Sequence, residues 1–238
     1  MYKCPATAGI KEREKVNSIL KLGPSIEELI AHGYGRSMTV GGFSTGIVGG
    51  GAGTILDLDQ PEFIVSVPPG LCIRPIYVEI VVQPGVTTAD SDETEALLAV
   101  DSLSYMRVAP TPTGASVTQT DETPTNMRTD LAQGSQCRCA SAFVVDMETV
   151  NAQGTSADPV LDMELARNLE LTDFNASAVS IAFHVVRLVY QPKFPPFLVG
   201  PCTLLGYWGG TIATVGGYAI VQWVEGPTAL LLPAIAGL

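Results

Sequence analysis

Charge is scarce in this sequence. Asp, Glu, Lys and Arg make up 16% of the 238 residues, against 46% hydrophobic residues. A chain this apolar buries a core, which excludes wholesale disorder. Histidine is scarcer still: His32 and His184 are the only two. A metal centre built from several imidazoles on neighbouring strands therefore has no ligand supply. No apolar run reaches the ~20 residues that a bilayer-spanning helix needs. Ile76–Val82 is too short, Val179–Val189 is interrupted by His184 and Arg187, and Leu230–Leu238 contains Pro233 and Gly237. The N-terminal stretch, Cys4-Pro5 followed by charged residues, does not read as a secretory signal. Without such a signal the sequon Asn175-Ala176-Ser177 carries no functional weight. The five cysteines (Cys4, Cys72, Cys137, Cys139, Cys202) are odd in number and scattered, the usage of reduced thiols in a protein made inside a cell. No internal repeat of solenoid length is present.

What is abundant is punctuation. The 24 glycines and 17 prolines divide the chain into short apolar runs, the pattern of many strands and turns. The length suits one β domain with a substantial core. Two helices are expected before the strands begin. Ile10–Leu22 carries Val16, Ile19 and Leu20 and stops at Gly23-Pro24. The second opens on a Ser25-x-x-Glu28 capping box, presents Ile26, Leu29 and Ile30 on one face, and ends at Gly33. That face has to pack on the body or on a neighbouring subunit.

After Tyr34 the helical period gives way to strands. Strand-like runs are Thr54–Leu58, Glu62–Val67, Ile73–Gln83, Leu97–Val108 and Cys137–Met147. In Ile73–Gln83, Ile76, Val78, Ile80 and Val82 alternate with Tyr77, Glu79, Val81 and Gln83. Ala178–Tyr190 is apolar on both faces and reads as a covered central strand. Pro201–Trp208 and Tyr218–Glu225 read as the arms of a closing hairpin. Ala157–Leu171, with Leu161, Leu165, Ala166 and Leu169, reads as a short helix, and Pro110–Thr129 as a long exposed loop. The fold class is all-β: a jelly-roll β-sandwich of about eight antiparallel strands with a short N-terminal helical arm. The expected division is an arm over 1–36 and a shell-like domain over 37–238.

The charge is unevenly spread. Residues 1–36 hold six basic side chains (Lys3, Lys11, Arg13, Lys15, Lys21, Arg36) against four acidic ones, +2, whereas the remainder holds seven against twenty, −13. Such a body repels phosphates. Only the arm, through Lys11, Arg13, Lys15 and Lys21, offers a weak contact to nucleic acid or a basic face to other subunits.

Several short motifs point to chemistry and fail on context. Gly42-Phe43-Ser44-Thr45-Gly46 matches a hydrolase nucleophile elbow, with His184 as its base, but an elbow needs a helix directly after the serine. Here Ile47-Val48 and a glycine run follow. Gly49–Gly53 lacks the Lys and the helix of a phosphate loop. Cys137-x-Cys139 lacks zinc-knuckle spacing, and in a strand its thiols share one face. Asp90, Asp92, Glu93 and Glu95 lie in an acidic stretch, Thr87–Glu95, that reads first as a solvated loop. Its carboxylates are also the candidate ligands for a Ca²⁺ ion shared across a subunit boundary. No catalytic residue and no cofactor is assigned.

The closing segment, Leu204-Leu205-Gly206-Tyr207-Trp208-Gly209-Gly210-Thr211 followed by Gly216-Gly217-Tyr218-Ala219-Ile220-Val221-Gln222-Trp223-Val224-Glu225, resembles the final two strands of single jelly-roll capsid proteins of icosahedral viruses. The layout of an arm followed by a sandwich, over roughly 37–225, is similar as well. The resemblance implies a structural, non-enzymatic coat subunit that self-assembles into a shell around a genome inside the host cell and resides in the virion. Its implied partners are copies of itself and other capsid proteins. The alternative is a jelly-roll module that stops at a trimer and binds a ligand or receptor. The sequence departs from many such proteins of RNA viruses in lacking a strongly Arg/Lys-rich arm, so charge neutralisation of a genome is not expected to drive assembly.

Overall fold

The computed structural model describes residues 25–42, 46–49, 56–58, 60–83, 92–102, 120–131, 134–143, 161, 163–172, 185–210 and 215–232. The expected helix Ile10–Leu22 and the long loop up to Gln119 lie outside the described residues, and so do Lys11, Arg13, Lys15, Lys21, Ser44, Asp90 and His184.

Strands dominate. In chain order they are β1 (Gly35–Val40), β2 (Ile47–Val48), β3 (Phe63–Val67), β4 (Leu71–Gln83), β5 (Asp92–Asp101), β6 (Thr120–Glu122), β7 (Thr125–Asn126), β8 (Arg138–Ser141), β9 (Met163–Thr172), β10 (Val186–Tyr190), β11 (Leu198–Val199), β12 (Cys202–Gly210) and β13 (Gly216–Pro227). Among the described residues two short helices, α1 (Ile26–Ala31) and α2 (Thr228–Leu231), flank them. The strands form two antiparallel sheets. The first runs β10-β4-β13-β1-β7, with β11 also on β4 and β2 on β13; the second runs β6-β8-β3-β12-β5-β9.

The main core lies between the sheets and is built by period-2 alternation. From β12 it takes Cys202, Leu204 and Trp208; from β13, Ala219, Val221 and Trp223; from β5, Ala96, Leu98 and Val100. In β4 the parity changes along the strand. Leu71 and Ile73 face the core before Ile76, and Val78, Ile80 and Val82 face it afterwards. The register against β13 shifts at this point, with Gln222 opposite Tyr77 and Trp223 opposite Pro75. Ile76 is thus the extra residue of a β-bulge, and the bulge keeps both halves of a long strand apolar toward one core. Trp208 spans the sandwich: its indole Nε1 donates to the Ile47 carbonyl at 3.1 Å, and a Cβ at Gly217 would sit 2.7 Å from its ring. Gly206 makes room for Phe63, the residue directly opposite; a Cβ there would lie 1.9 Å from the Phe63 ring.

Two smaller clusters cover outer faces. On the second sheet, Ile64, Leu97, Ala99, Leu205 and Tyr207 pack with Phe143, Leu56, Leu58 and Leu161, and the Tyr207 hydroxyl donates to the Leu58 carbonyl at 3.0 Å. On the first, Leu29 of α1 packs with Cys72, Val224 and Leu231. The capping box is present as expected: Ser25 Oγ accepts from the Glu28 N–H, and the Glu28 carboxylate accepts from the Ser25 N–H. Gly33 ends the helix at φ +84°, the left-handed region that favours glycine. The apolar face of α1 therefore docks on its own body.

Several sequence expectations change: the described end of the expected loop Pro110–Thr129 holds β6 and β7, and residues 56–58 of the expected strand Thr54–Leu58 lie in no strand. Residues 163–172 form a strand rather than a helix, because β5 offers a pairing edge along its length; the four-residue spacing marks no single face, since Leu165 packs on the main core, Leu161 on the outer cluster, and Leu169 is exposed. The segment before Tyr190 is no covered central strand: among the described residues β10 pairs only with β4, with Val186 and Leu188 inside and Val185 and Val189 outside. The last two strands make no hairpin. β12 lies between β3 and β5 while β13 lies between β4 and β1, so each of these strands, apolar on both faces, gains two neighbours. Finally, β1 begins at Gly35, which puts Arg36 in the sheet rather than in an arm ending at residue 36.

Candidate functional site: a buried ion-pair centre and two unlike edges

Arg36, counted above among the basic residues of the arm, is 4% exposed, and it meets Glu225, 2% exposed, at one end of the main core. Alternation explains the encounter. Arg36 shares the inward face of β1 with Met38 and Val40, and Glu225 shares that of β13 with Trp223 and Val221. Arg36 Nε lies 3.1 Å from Glu225 Oε1, within ion-pair range, although its N–H is not aligned for a hydrogen bond. Arg36 Nη1 donates to the carbonyls of Gly33 at 2.7 Å and Gly35 at 2.9 Å. The Glu225 carboxylate accepts from Ser135 Oγ at 2.6 Å, the Gln136 N–H at 3.0 Å and Trp223 Nε1 at 3.1 Å. Every partner is structural, and the centre clasps the loop before β8 to the end of the sandwich. Removing Arg36 from the count leaves the arm five basic side chains against four acidic ones, +1.

Beside this centre, burial pushes the Cys137 thiol well above its ordinary value, with the Glu225 charge adding to the effect. Cys139 shares the inward face with Cys137, as the spacing implied. Burial likewise raises Cys72 to about 11 and Cys202 to about 12. Cys72, Cys137, Cys139 and Cys202 are buried free thiols, the environment of inert packing groups rather than nucleophiles.

The candidate Ca²⁺ ligands are not gathered in a loop. Asp92, Glu93 and Glu95 all lie within β5. Glu95 is 2% exposed and is paired with Arg167 of β9. Its strand pairs with β9 along its length, so the carboxylate meets a cross-strand cation instead of solvent. Among the described residues, no three His, Cys, Asp or Glu side chains come together as a ligand set. The run after Gly46 is strand β2, paired with β13, not the helix that a nucleophile elbow requires. No helix among the described residues is long and apolar enough to cross a membrane.

The surface is more distinctive than the interior. Five of the exposed large hydrophobic side chains, Val185, Val189, Phe194, Phe197 and Val199, come from one 15-residue stretch along the β4 edge. Residues 185–199 contain Arg187 and Lys193 and no acidic residue, on a body of otherwise strongly negative charge. Arg187 reaches Glu79 at 2.6 Å, and Tyr77 donates to the same carboxylate at 2.6 Å. The Tyr77 hydrogen bond, with Arg187 behind it, holds Glu79 below the usual carboxylate range. Farther along, the Arg74 guanidinium lies 4.4 Å from the Phe197 ring centroid. Phe194 is 80% exposed, with Lys193 Nζ 5.5 Å from its ring centroid. Pro192, Pro195 and Pro196 follow the strand, and the two phenylalanines among them, Phe194 and Phe197, are the feature by which the sequence itself marks this surface.

The opposite edge differs. There β6 and β7 border an open groove of about 510 Å³ lined by Thr123, Pro124, Thr125, Asn126, Thr129, Leu131 and Gly134. Residues 120–131 hold Asp121, Glu122 and Asp130 against Arg128, a net of −2. Arg128 and Asn126 fasten the segment to the body through the carbonyls of Ala31 and Gly33. No family model, curated protein or solved structure matches this chain.

Proposed function

We propose that this protein is a non-enzymatic, self-assembling shell subunit with a jelly-roll fold, as the closing strands led us to expect. The observation that carries the reading is strand order. The longer strands β1, β3, β4, β5, β9, β10, β12 and β13 pair as β1-β13-β4-β10 and β3-β12-β5-β9. The first therefore lies beside the last, and the chain passes between sheets at most connections. This order supports reading the fold as the double Greek-key arrangement of two four-stranded sheets, the jelly roll of viral capsid and lectin domains. The short strands β6, β7 and β8 extend the two sheets on one side.

The mechanism of such a subunit is geometric. A rigid sandwich holds its edges and loops in fixed relation, and modest contacts repeated by symmetry close a shell without any single strong interface. The apolar strip at residues 185–199 is surface of the kind that assembly covers. With −13 on the body beyond residue 36, protein–protein contacts drive the assembly, and the genome, if touched, is touched by Lys11, Arg13, Lys15 and Lys21. Electron microscopy and sedimentation of the purified protein test the proposal. Closed particles of uniform size are expected. A discrete trimer would favour a small binding module on the same fold, and a monomer at every concentration and salt would overturn the reading.

A further inference from the structure

We infer that copies of this chain join head to tail, the Phe194 loop of one entering the β6–β7 groove of the next. The inference rests on the self-assembly reading and names the surfaces that it uses.

Sheet order places the two features on opposite sides of the sandwich. β10 and β7 end the first sheet, and β9 and β6 end the second. A contact between opposite edges is heterologous: it leaves a free knob at one end and a free groove at the other, so it propagates until rotation closes the assembly.

The two surfaces are complementary in shape. Phe194 stands 80% exposed in a loop whose backbone is restricted by Pro192, Pro195 and Pro196, because proline fixes φ. An aromatic group held rigidly outward has little freedom left to lose on docking. It is also the residue type that dominates contact energies once buried. The groove, about 510 Å³ with Pro124 and Leu131 among its lining and threonines at its rim, accommodates an aromatic side chain. Its walls are held in place, since Thr125 Oγ donates to the Ser37 carbonyl and the Met127 N–H to the Gly35 carbonyl.

The charges are complementary too. By sequence the knob segment is +2 and the groove segment −2; with Arg187 held by Glu79, Lys193 is the cation the knob presents. On a body of net negative charge, this pairing of edges brings segments of opposite sign together. Lys193, lying over the Phe194 ring, carries its charge to the tip of the knob, and the groove segment exposes Asp121 and Asp130, the latter paired with Arg128. Such complementarity sets orientation and association rate, and it makes the contact sensitive to salt.

The test uses the full chain with two exposed-site variants, Phe194→Ser to remove the knob and Thr129→Trp to fill the groove. Both positions are exposed, so circular dichroism and thermal unfolding should match the wild type. Each variant alone should assemble only at concentrations at least tenfold above wild type in sedimentation velocity. An equimolar mixture should form a new species containing both variants, because the Thr129→Trp copy keeps its knob and the Phe194→Ser copy keeps its groove. If wild type never assembles, the self-assembly reading falls, and this inference with it. If wild type assembles and either variant assembles equally well, only the knob-and-groove contact falls. Loss of association in both variants without recovery in the mixture also overturns it.

Discussion

Replacing Glu225 with leucine removes one carboxylate from four partners at once. Ser135 Oγ, the Gln136 N–H and Trp223 Nε1 lose their acceptor, and the Arg36 guanidinium, 3.1 Å away, loses its counter-charge. A buried donor left unmade costs ~1–3 kcal/mol, and one partner of a buried ion pair left alone costs ~3–5 kcal/mol. These costs overlap, because the loop at Ser135 and Gln136 can turn outward to water. We therefore expect a total of roughly 5 kcal/mol for Glu225→Leu, from the upper end of the ion-pair range. Arg36→Met should cost less, roughly 2–3 kcal/mol, because the carboxylate keeps three hydrogen-bond donors. Glu225→Gln retains shape and an acceptor oxygen and should fall below both. At ~2–4 °C per kcal/mol for a chain of this size, Glu225→Leu should lower Tm by roughly 10–20 °C. Urea unfolding followed by far-UV circular dichroism and tryptophan fluorescence measures the order directly, since Trp223 touches the altered carboxylate. An Arg36→Met cost equal to or above that of Glu225→Leu would refute the assignment of the carboxylate as hub. So would a Glu225→Leu cost below ~1 kcal/mol, the size of a single ordinary hydrogen bond.

Two further outcomes follow from the interior. Gly206→Ala forces a methyl toward the Phe63 ring, 1.9 Å from where its Cβ must go, and should destabilise by ~1–3 kcal/mol, the usual range for overpacking. Adding Phe63→Leu should recover part of that loss in urea titrations, and a purely additive double variant would refute the steric account. Cys72, Cys137, Cys139 and Cys202, all buried, should resist iodoacetamide at pH 8 and react only on unfolding, as read by peptide mass spectrometry. Because burial raises their folded pKa values, the thiols' contribution to stability is complete below the unfolded value near ~8.5. It is lost as pH rises toward about 11 for Cys72 and about 12 for Cys202.

How much of this was legible beforehand depends on the range of each interaction. The capping box at Ser25 and Glu28 is local, and the structure contains it as expected. The long strand ending at Gln83 was legible because period-2 alternation is written into neighbouring residues. Its bulge at Ile76 was not, since a bulge appears only against a partner's register. Leu161, Leu165 and Leu169 suggest a helical face, but the available edge of β5 makes residues 163–172 a strand, with Leu165 inside and Leu169 exposed. Glu95 looked like a solvated acid until Arg167, 72 residues away, was placed beside it.

What the sequence by itself determined, then, is the material: a β-rich chain with a capped helix, few charges and those of opposite sign unevenly spread. These follow from local propensity, alternation and composition, each set by near neighbours. Tertiary structure alone decided the partners. It placed Trp208 and Trp223 in opposite sheets of one core, turned Arg36 inward onto Glu225, and carried the Phe194 loop to the edge opposite the β6–β7 groove. Those choices depend on strand pairings between residues far apart in the chain, and no local pattern encodes which distant strand lies alongside.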